Sequence, residues 1–279
     1  MFNIQLYIDS LPDDTTVIDI SNKELTVIPD LSRFTKLKQL QCSYNKLTSL
    51  PVLNENLETL RCSYNQLTSL PVLNENLEKL YCYYNQLSSL PTFNENLKEL
   101  ICSYNNLTSL PTFNENLETL QCSYNHLTSL PAFNETLKEL QCSYNNLTFL
   151  PVLNEKLKML YCHNNRLTFL PVFNETLEIL QCCSNQLTSL PTFNENLKEL
   201  YCSGNRLTCL PVLNETLEEL HCNDNPFDIL NCNDRIDIMR RNIKTLHNFR
   251  YIYYCLTFKT QFRKWLWERV REPKIALKY

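Results

Sequence analysis

A single glycine, Gly204, stands in a chain of 279 residues. Glycine is the usual route to positive φ in a tight turn, so a fold that turns through glycine-rich loops is excluded. The turning falls instead to recurrent Pro and Asn. The opening stretch MFNIQLYIDSLPDDTT lacks a basic region followed by an apolar one, and no run of about 18 apolar residues comes after it. An intracellular, cytoplasmic and soluble protein is therefore expected. Irregular cysteine spacing is missing too. Ten of the 14 Cys recur at one position, from Cys42, Cys62 and Cys82 through Cys202 and Cys222. That regularity speaks against the disulfide scaffold of a small secreted domain. A thiol packs as a small hydrophobe, so the column reads as reduced core.

What is present is a repeat. The unit Leu57 to Asn76, LETLRCSYNQLTSLPVLNEN, recurs every 20 residues in one register, and a fixed short period is the signature of a solenoid. Within a unit, the Leu40–Cys42 alternation has the period of a strand, with Leu40 and Cys42 inward and Gln39, Gln41 and Ser43 outward. Stacking identical units places these strands in one parallel sheet. Pro51 and the Asn54–Asn56 turn leave no room for a helix on the opposite side. The Asn column from Asn45 to Asn225 is suited to satisfy backbone groups where each coil leaves its strand. The Asn-Glu pairs, Asn54-Glu55 to Asn214-Glu215, read as solvated turns, and five Asn-x-Thr matches starting at Asn106, Asn134, Asn146, Asn174 and Asn214 read as by-products of the repeat.

Three segments follow. Residues 1–36 are an N-terminal segment and a degenerate capping repeat, VIDISNKELTVIP, with Ile18, Ile20, Leu25 and Ile28 apolar. Residues 37–232 are a solenoid of ten regular units. Residues 233–279 change composition: 12 Lys/Arg against 4 Asp/Glu give +8 and leave −12 on residues 1–232, within an overall charge of −4. Ile236, Met239, Ile243 and Leu246 fit one helix, and Tyr251, Tyr254, Cys255, Phe258, Phe262, Trp265 and Arg269 the face of a second, ended by Pro273. The fold expected is a β-dominated α/β-type solenoid, a right-handed coil curved around one parallel sheet on its concave face, with an extended or turn-like convex side and a small helical C-terminal segment.

The pattern L-x-x-L-x-C-x-x-N-x-L resembles the leucine-rich repeat family, whose signature it matches at ten successive units with Cys in place of the third Leu. The period and the L-P-x-L step resemble the short repeats of type III secreted bacterial effectors, which usually carry a second Pro where this chain has Asn54, Asn74 and Asn94. The wording CSYNQLTSLP resembles repeat proteins of giant DNA viruses of amoebae. These resemblances imply a non-enzymatic scaffold for an unidentified protein partner, in a virus–host or effector-like interaction.

Internal comparison shows which outward positions vary. One column runs Gln39, Thr59, Lys79, Glu99, Thr119, Glu139, Met159, Ile179, Glu199, Glu219; the next runs Gln41, Arg61, Tyr81, Ile101, Gln121, Gln141, Tyr161, Gln181, Tyr201, His221. Variable amphipathic side chains on a rigid sheet suit protein binding. Arg61, Lys79, Tyr81, Glu99, Ile101, Tyr161, Ile179, Tyr201 and His221 are the candidates. Beside them stands a ladder of Tyr44, Tyr64, Tyr84, Tyr104, Tyr124 and Tyr144. It is either an aromatic strip for a partner peptide or a stack that shields the sheet edge.

No catalytic, metal or cofactor site is expected, nor a small-molecule substrate. His163 and Cys183 lie one unit apart, but a metal needs about four converging ligands. Related effectors imply an alternative, a ubiquitin-ligase-like effector or adaptor acting through a Cys-x-Asp nucleophile. Cys232-Asn233-Asp234 and Cys222-Asn223-Asp224 have that spacing, although the residues beyond 232 are too few for a separate catalytic domain. The basic tail has three readings: a cap; a nucleic-acid contact through Arg250, Lys259, Arg263 and Lys264; or docking of Trp265 and Trp267 on a protein or an anionic membrane.

Overall fold

The computed structural model describes residues 3–227 and 235–257, the last eight by backbone alone. It opens with helix α1 (Ile4–Ser10), whose first turn is capped by Asn3 Oδ1 accepting from Leu6 N at 3.1 Å. Ile8 is the buried residue of this helix. The repeat pattern does not announce α1, because about two turns carry too few apolar positions to show a period.

Eleven three-residue strands then follow: β1 (Val17–Asp19), β2 (Gln39–Gln41), β3 (Thr59–Arg61), β4 (Lys79–Tyr81), β5 (Glu99–Ile101), β6 (Thr119–Gln121), β7 (Glu139–Gln141), β8 (Met159–Tyr161), β9 (Ile179–Gln181), β10 (Glu199–Tyr201) and β11 (Glu219–His221). They form one parallel sheet in chain order. From β2 onward the register pairs each residue with the one 20 positions later, as in Leu40 with Leu60, while Ile18 pairs with Leu40 across the longer first step. The ladder outruns the strands on both sides: Glu58 N donates to Lys38 O at 2.8 Å, Cys62 N to Tyr81 O at 2.8 Å and Tyr64 N to Tyr83 O at 2.9 Å.

Behind the sheet, the Leu and Cys columns form one continuous core; Leu60, Cys62, Leu67, Leu77 and their equivalents are buried, except Leu220 on the last strand, which is partly so. The side after each Pro has no helix in any described unit. Its backbone is tied from unit to unit by side chains rather than by secondary structure. Asn114 Nδ2 donates to the carbonyl oxygens of Asn94 and Leu97, and Asn154, Asn174 and Asn194 repeat the pattern. The Asn of each Asn-Glu pair is thus not a solvated turn residue but a second connecting ladder, and Asn114, Asn154, Asn174 and Asn194 are buried. The Asn-x-Thr matches at Asn134, Asn174 and Asn214 belong to it, since the Thr136, Thr176 and Thr216 hydroxyls accept from those amides and donate to the preceding unit.

Each end is closed by an arginine. Arg33 donates to Ile8 O and Leu11 O, binding α1 to the first units. At the other end, helix α2 (Ile236–Thr257) buries Met239 and Ile243 against the last turn. Arg240 donates to Asn214 O at 3.2 Å and Leu217 O at 3.1 Å. Those are the carbonyls a further unit's Asn would have taken, so a guanidinium ends the ladder where the repeat stops. The break expected before Tyr251 is absent, as α2 runs through it to Thr257. Phe258, Phe262, Trp265, Trp267, Arg269 and Pro273, with Lys259, Arg263, Lys264 and Cys232, lie outside the described residues. No helix among the described residues is long and apolar enough to cross a membrane.

Candidate partner-binding face

One rule of strand geometry sorts the site: alternate side chains face opposite ways, so the residues flanking each inward Leu line the open face of the sheet. Arg61 is exposed and lies over the ring of Tyr81, 4.1 Å from its centroid. Tyr81 is itself buried under that guanidinium. As a displayed recognition residue it is a correction: a flat ring between neighbouring rungs has become part of the wall. Lys79 faces Glu99 at 3.6 Å. Ile101, Tyr161, Ile179 and Tyr201 are half-buried, and His221 is exposed and stacked on Tyr201 at 4.8 Å. His221 also pairs with Glu219 at 3.0 Å.

The third outward column is largely shielded: Ser43, Tyr83, Ser123, His163, Cys183 and Ser203 are half-buried, and Asn223 at its end is exposed. Ser63, Ser103 and Ser143 are buried, because the chain bends at the next residue and folds its side chain over them. The Ser103 hydroxyl accepts from Ser123 N at 3.1 Å and the Ser123 hydroxyl from Ser143 N at 3.1 Å. The Ser143 hydroxyl oxygen has no hydrogen-bond partner among the described residues. His163 stands edge-on to Tyr144 at 5.3 Å and meets the Asn164 amide at 2.9 Å; burial lowers its pKa, favouring the neutral ring. Burial likewise raises the half-buried Cys183 thiol, so it is not poised as a nucleophile. Cys222 is buried in the core column, which removes one of the two Cys-x-Asp candidates from access. Among the described residues no group of three or more His, Cys, Asp or Glu is placed to hold a metal.

The bend explains the tyrosines. Tyr44, Tyr64, Tyr84, Tyr104, Tyr124 and Tyr144 all have φ between 53° and 58°, as do Asn164, Ser184 and Asp224 near 54°, and Gly204 at 67°. This is the left-handed region, which costs an L-residue about 1–2 kcal/mol. The rings offset that cost by stacking: successive centroids lie 4.4, 4.4, 4.0, 4.1 and 4.1 Å apart with planes within 12°. Each contact of this kind contributes about 0.5–1.5 kcal/mol. Tyr104→Val, which loses two stacks and forces a β-branched residue into positive φ, should destabilise by about 3–4 kcal/mol in urea denaturation. Tyr104→Gly regains the backbone freedom and should cost less than half as much. Equal losses would show that φ does not govern the position.

Between the stack and the second column runs a trough of about 610 Å³, from Arg61 and Tyr81 to Tyr161 and His163, floored by Ser103, Ser123 and Ser143 and walled by Gln121 and Gln141. Glu139 and Met159 stand in the variable first column but are not among the candidates that the sequence singles out. Glu139 accepts from Gln121 Nε2 at 3.3 Å and Gln141 Nε2 at 2.7 Å. Charge counted down that column would have signalled them, since no Lys or Arg follows Lys79 in it.

A coil that spends one strand per turn, keeps its core letters constant and varies the letters on its open face is a solenoid repeat protein of the interaction-scaffold class. A family model described as Leucine Rich repeats (2 copies) matches residues 55–95. Among solved structures, the chain is 32% identical to a Shigella effector LRR domain, with TM-score 0.51, over 55% of this chain and 70% of that one. It is 30% identical to YopM from Yersinia enterocolitica WA-314, with TM-score 0.65, over 78% of this chain but 57% of that one, so it spans little more than half of that protein's length. YopM from Yersinia pestis, a leucine-rich effector protein, shares the fold at 23% identity and TM-score 0.54, over 80% of this chain and 86% of that one. No curated protein sequence matches. The chain belongs to the leucine-rich repeat family.

Proposed function

We propose that this chain is a non-enzymatic scaffold that holds a partner protein on its concave sheet face, in the manner of an effector. The observation that carries the reading is the division of labour along the face. Leu and Cys inside and the two Asn ladders hardly change from unit to unit, whereas the residues flanking each strand's Leu do, in a continuous rigid array. Half-buried Tyr161, Tyr201, Ile101 and Ile179 offer amphipathic contact area at low entropy cost, the usual make-up of interface anchors. Similarity to a Shigella effector domain supports an effector-like role.

The test is a column variant, Gln121→Arg, Gln141→Arg, Tyr161→Ser and Ile179→Glu, compared with the parent in proximity capture from the native cell and then in direct titration of the captured partner. With unchanged circular dichroism, binding should weaken at least a hundredfold, since several anchors of about 1–3 kcal/mol each are lost. A partner that binds parent and variant equally would sink the reading.

A further inference from the structure

The proposed binding face has a charge and spacing pattern of its own, and this inference rests on that reading. In the first column Met159 and Ile179 are register partners on β8 and β9. Glu139 lies one rung before them and Glu199 one rung after, all four half-buried on the open face. Neither carboxylate has a cation beside it among the described residues. The nearby lysines Lys158 and Lys198 are both taken by Glu178 at the sheet margin, at 3.3 and 2.7 Å. The field of the two carboxylates reaches Tyr161 between them: after burial, Glu139 and Glu199 are what hold its phenol above the ordinary range. A cation between or above these groups would reverse the sign of that field.

Rungs lie about 4.8 Å apart, so each carboxylate sits about 7 Å from the middle of the Met159–Ile179 pair. In an extended peptide, side chains on one face recur every second residue, also about 7 Å. A peptide lying along the sheet, across the strands, can therefore place an apolar side chain on Met159–Ile179 and a basic one on each Glu.

We propose that the concave face recognises an extended basic segment of the form basic–x–apolar–x–basic, held by Glu139, Met159, Ile179 and Glu199. The pattern is the same read in either direction, so chain polarity is not specified. The chain's acidic solenoid, −12 over residues 1–232, favours the same class of partner by long-range attraction.

The probe is a fluorescein-labelled peptide GSRTLTRSG, with the isomer GSRLTTRSG, in which the apolar residue faces away, and the acidic GSETLTESG as comparisons. Anisotropy with the full chain should show GSRTLTRSG binding at least tenfold more tightly than the isomer and weakening several-fold as salt screens the ion pairs. The double variant Glu139→Lys with Glu199→Lys should lose it and take GSETLTESG instead. Equal binding of the two isomers, or no effect of the double variant, overturns the proposal. A random-peptide display selection on the parent and on the column variant separates the two claims. Peptides of other chemistry that require the columns overturn the basic motif and leave the concave reading standing. Peptides indifferent to the columns overturn both.

Discussion

Raising the pH from 9 toward 12 is expected to unfold the solenoid within about one pH unit. Burial pushes the thiols of Cys42, Cys102 and Cys142 up to about 12 from an ordinary 9.0, and those of Cys62, Cys82, Cys122, Cys162 and Cys182 well above it. The folded chain thus keeps these protons at a pH where the unfolded chain has released them. Because the folded value is the higher one, the stabilisation is complete below pH 9 and is lost as pH rises toward 12. Each such thiol removes about 1.4 kcal/mol per pH unit, so eight give a limiting slope of about 11 kcal/mol per unit. That slope overtakes a typical stability of about 5–15 kcal/mol well before the folded thiols could ionise in place. Tyr64, raised first by burial and then by the neighbouring phenols, and Tyr104, raised first by the Tyr84 hydroxyl and then by burial, add to it with the same sign.

The check is a pH titration in which circular dichroism and thiolate absorbance are followed together. Both should change at one midpoint, and the core Cys column should resist alkylation at pH 8 until urea is added. Replacing Cys102 and Cys122 by Ala should flatten the pH slope by about a quarter, since two of the eight shifted thiols are removed. Thiolate absorbance that rises near pH 9 with the dichroism intact would show that the column is reachable by solvent in the native state.

The parts of this fold that can be read from the chain are those where one residue type has one physical use. Leu40 and Cys42 face inward because nothing else in the unit is apolar at period two, and every later copy repeats the constraint. Asn45 sits at the coil exit with a donor and an acceptor to place, and it places both. Asn54 was legible only as a turn, because Asn serves turns and carbonyl ladders equally well; the packing of the next unit decides which. The Tyr column is the instructive case. Tyrosine is not a residue that signals positive φ, and six copies conceal the backbone behind an aromatic pattern. The residues that replace it, Asn164, Ser184, Gly204 and Asp224, are small or polar, and Gly, Asn and Asp are the types that tolerate the left-handed region. Read as one set, the column announces a bend. The single glycine stands at the one position type where the fold most needs one. The basic spacing on the face was out of reach for a different reason. A column of letters shows which residues differ, while the distance between Glu139 and Glu199 exists only once the rung spacing is known.

Substituting Asn125 by Ala is expected to cost about 2–4 kcal/mol. Its Oδ1 accepts from Leu107 N at 2.9 Å, and its Nδ2 donates to Cys102 O and Cys122 O, each at 3.1 Å, with the residue only 5% exposed. One amide therefore serves backbone groups of two units. Truncation orphans Leu107 N, at about 1–3 kcal/mol for a donor that solvent cannot reach, while Cys102 O keeps Asn105 Nδ2 and Cys122 O keeps Asn145 Nδ2, each at 3.0 Å, so each carbonyl loses only one of two bonds. The same change at Asn225, which is only half-buried at the end of the ladder, should cost less than half as much, because water can replace the lost partner there. Asn125→Asp separates the donor from the acceptor. The carboxyl keeps its acceptor toward Leu107 N but must be protonated to donate to Cys102 O or Cys122 O. Facing those carbonyl oxygens, it holds its proton above the unfolded value of about 3.9. Its contribution is then fully present below that pH and lost as pH rises, so the variant should lie nearest the parent at pH 4 and well below it at pH 7. Urea midpoints of parent, Asn125→Ala and Asn125→Asp at both pH values make the comparison. An Asn125→Ala loss under 1 kcal/mol, or an Asn125→Asp deficit that does not change with pH, would mean that the sheet ladder and the leucine core join the units without the amide.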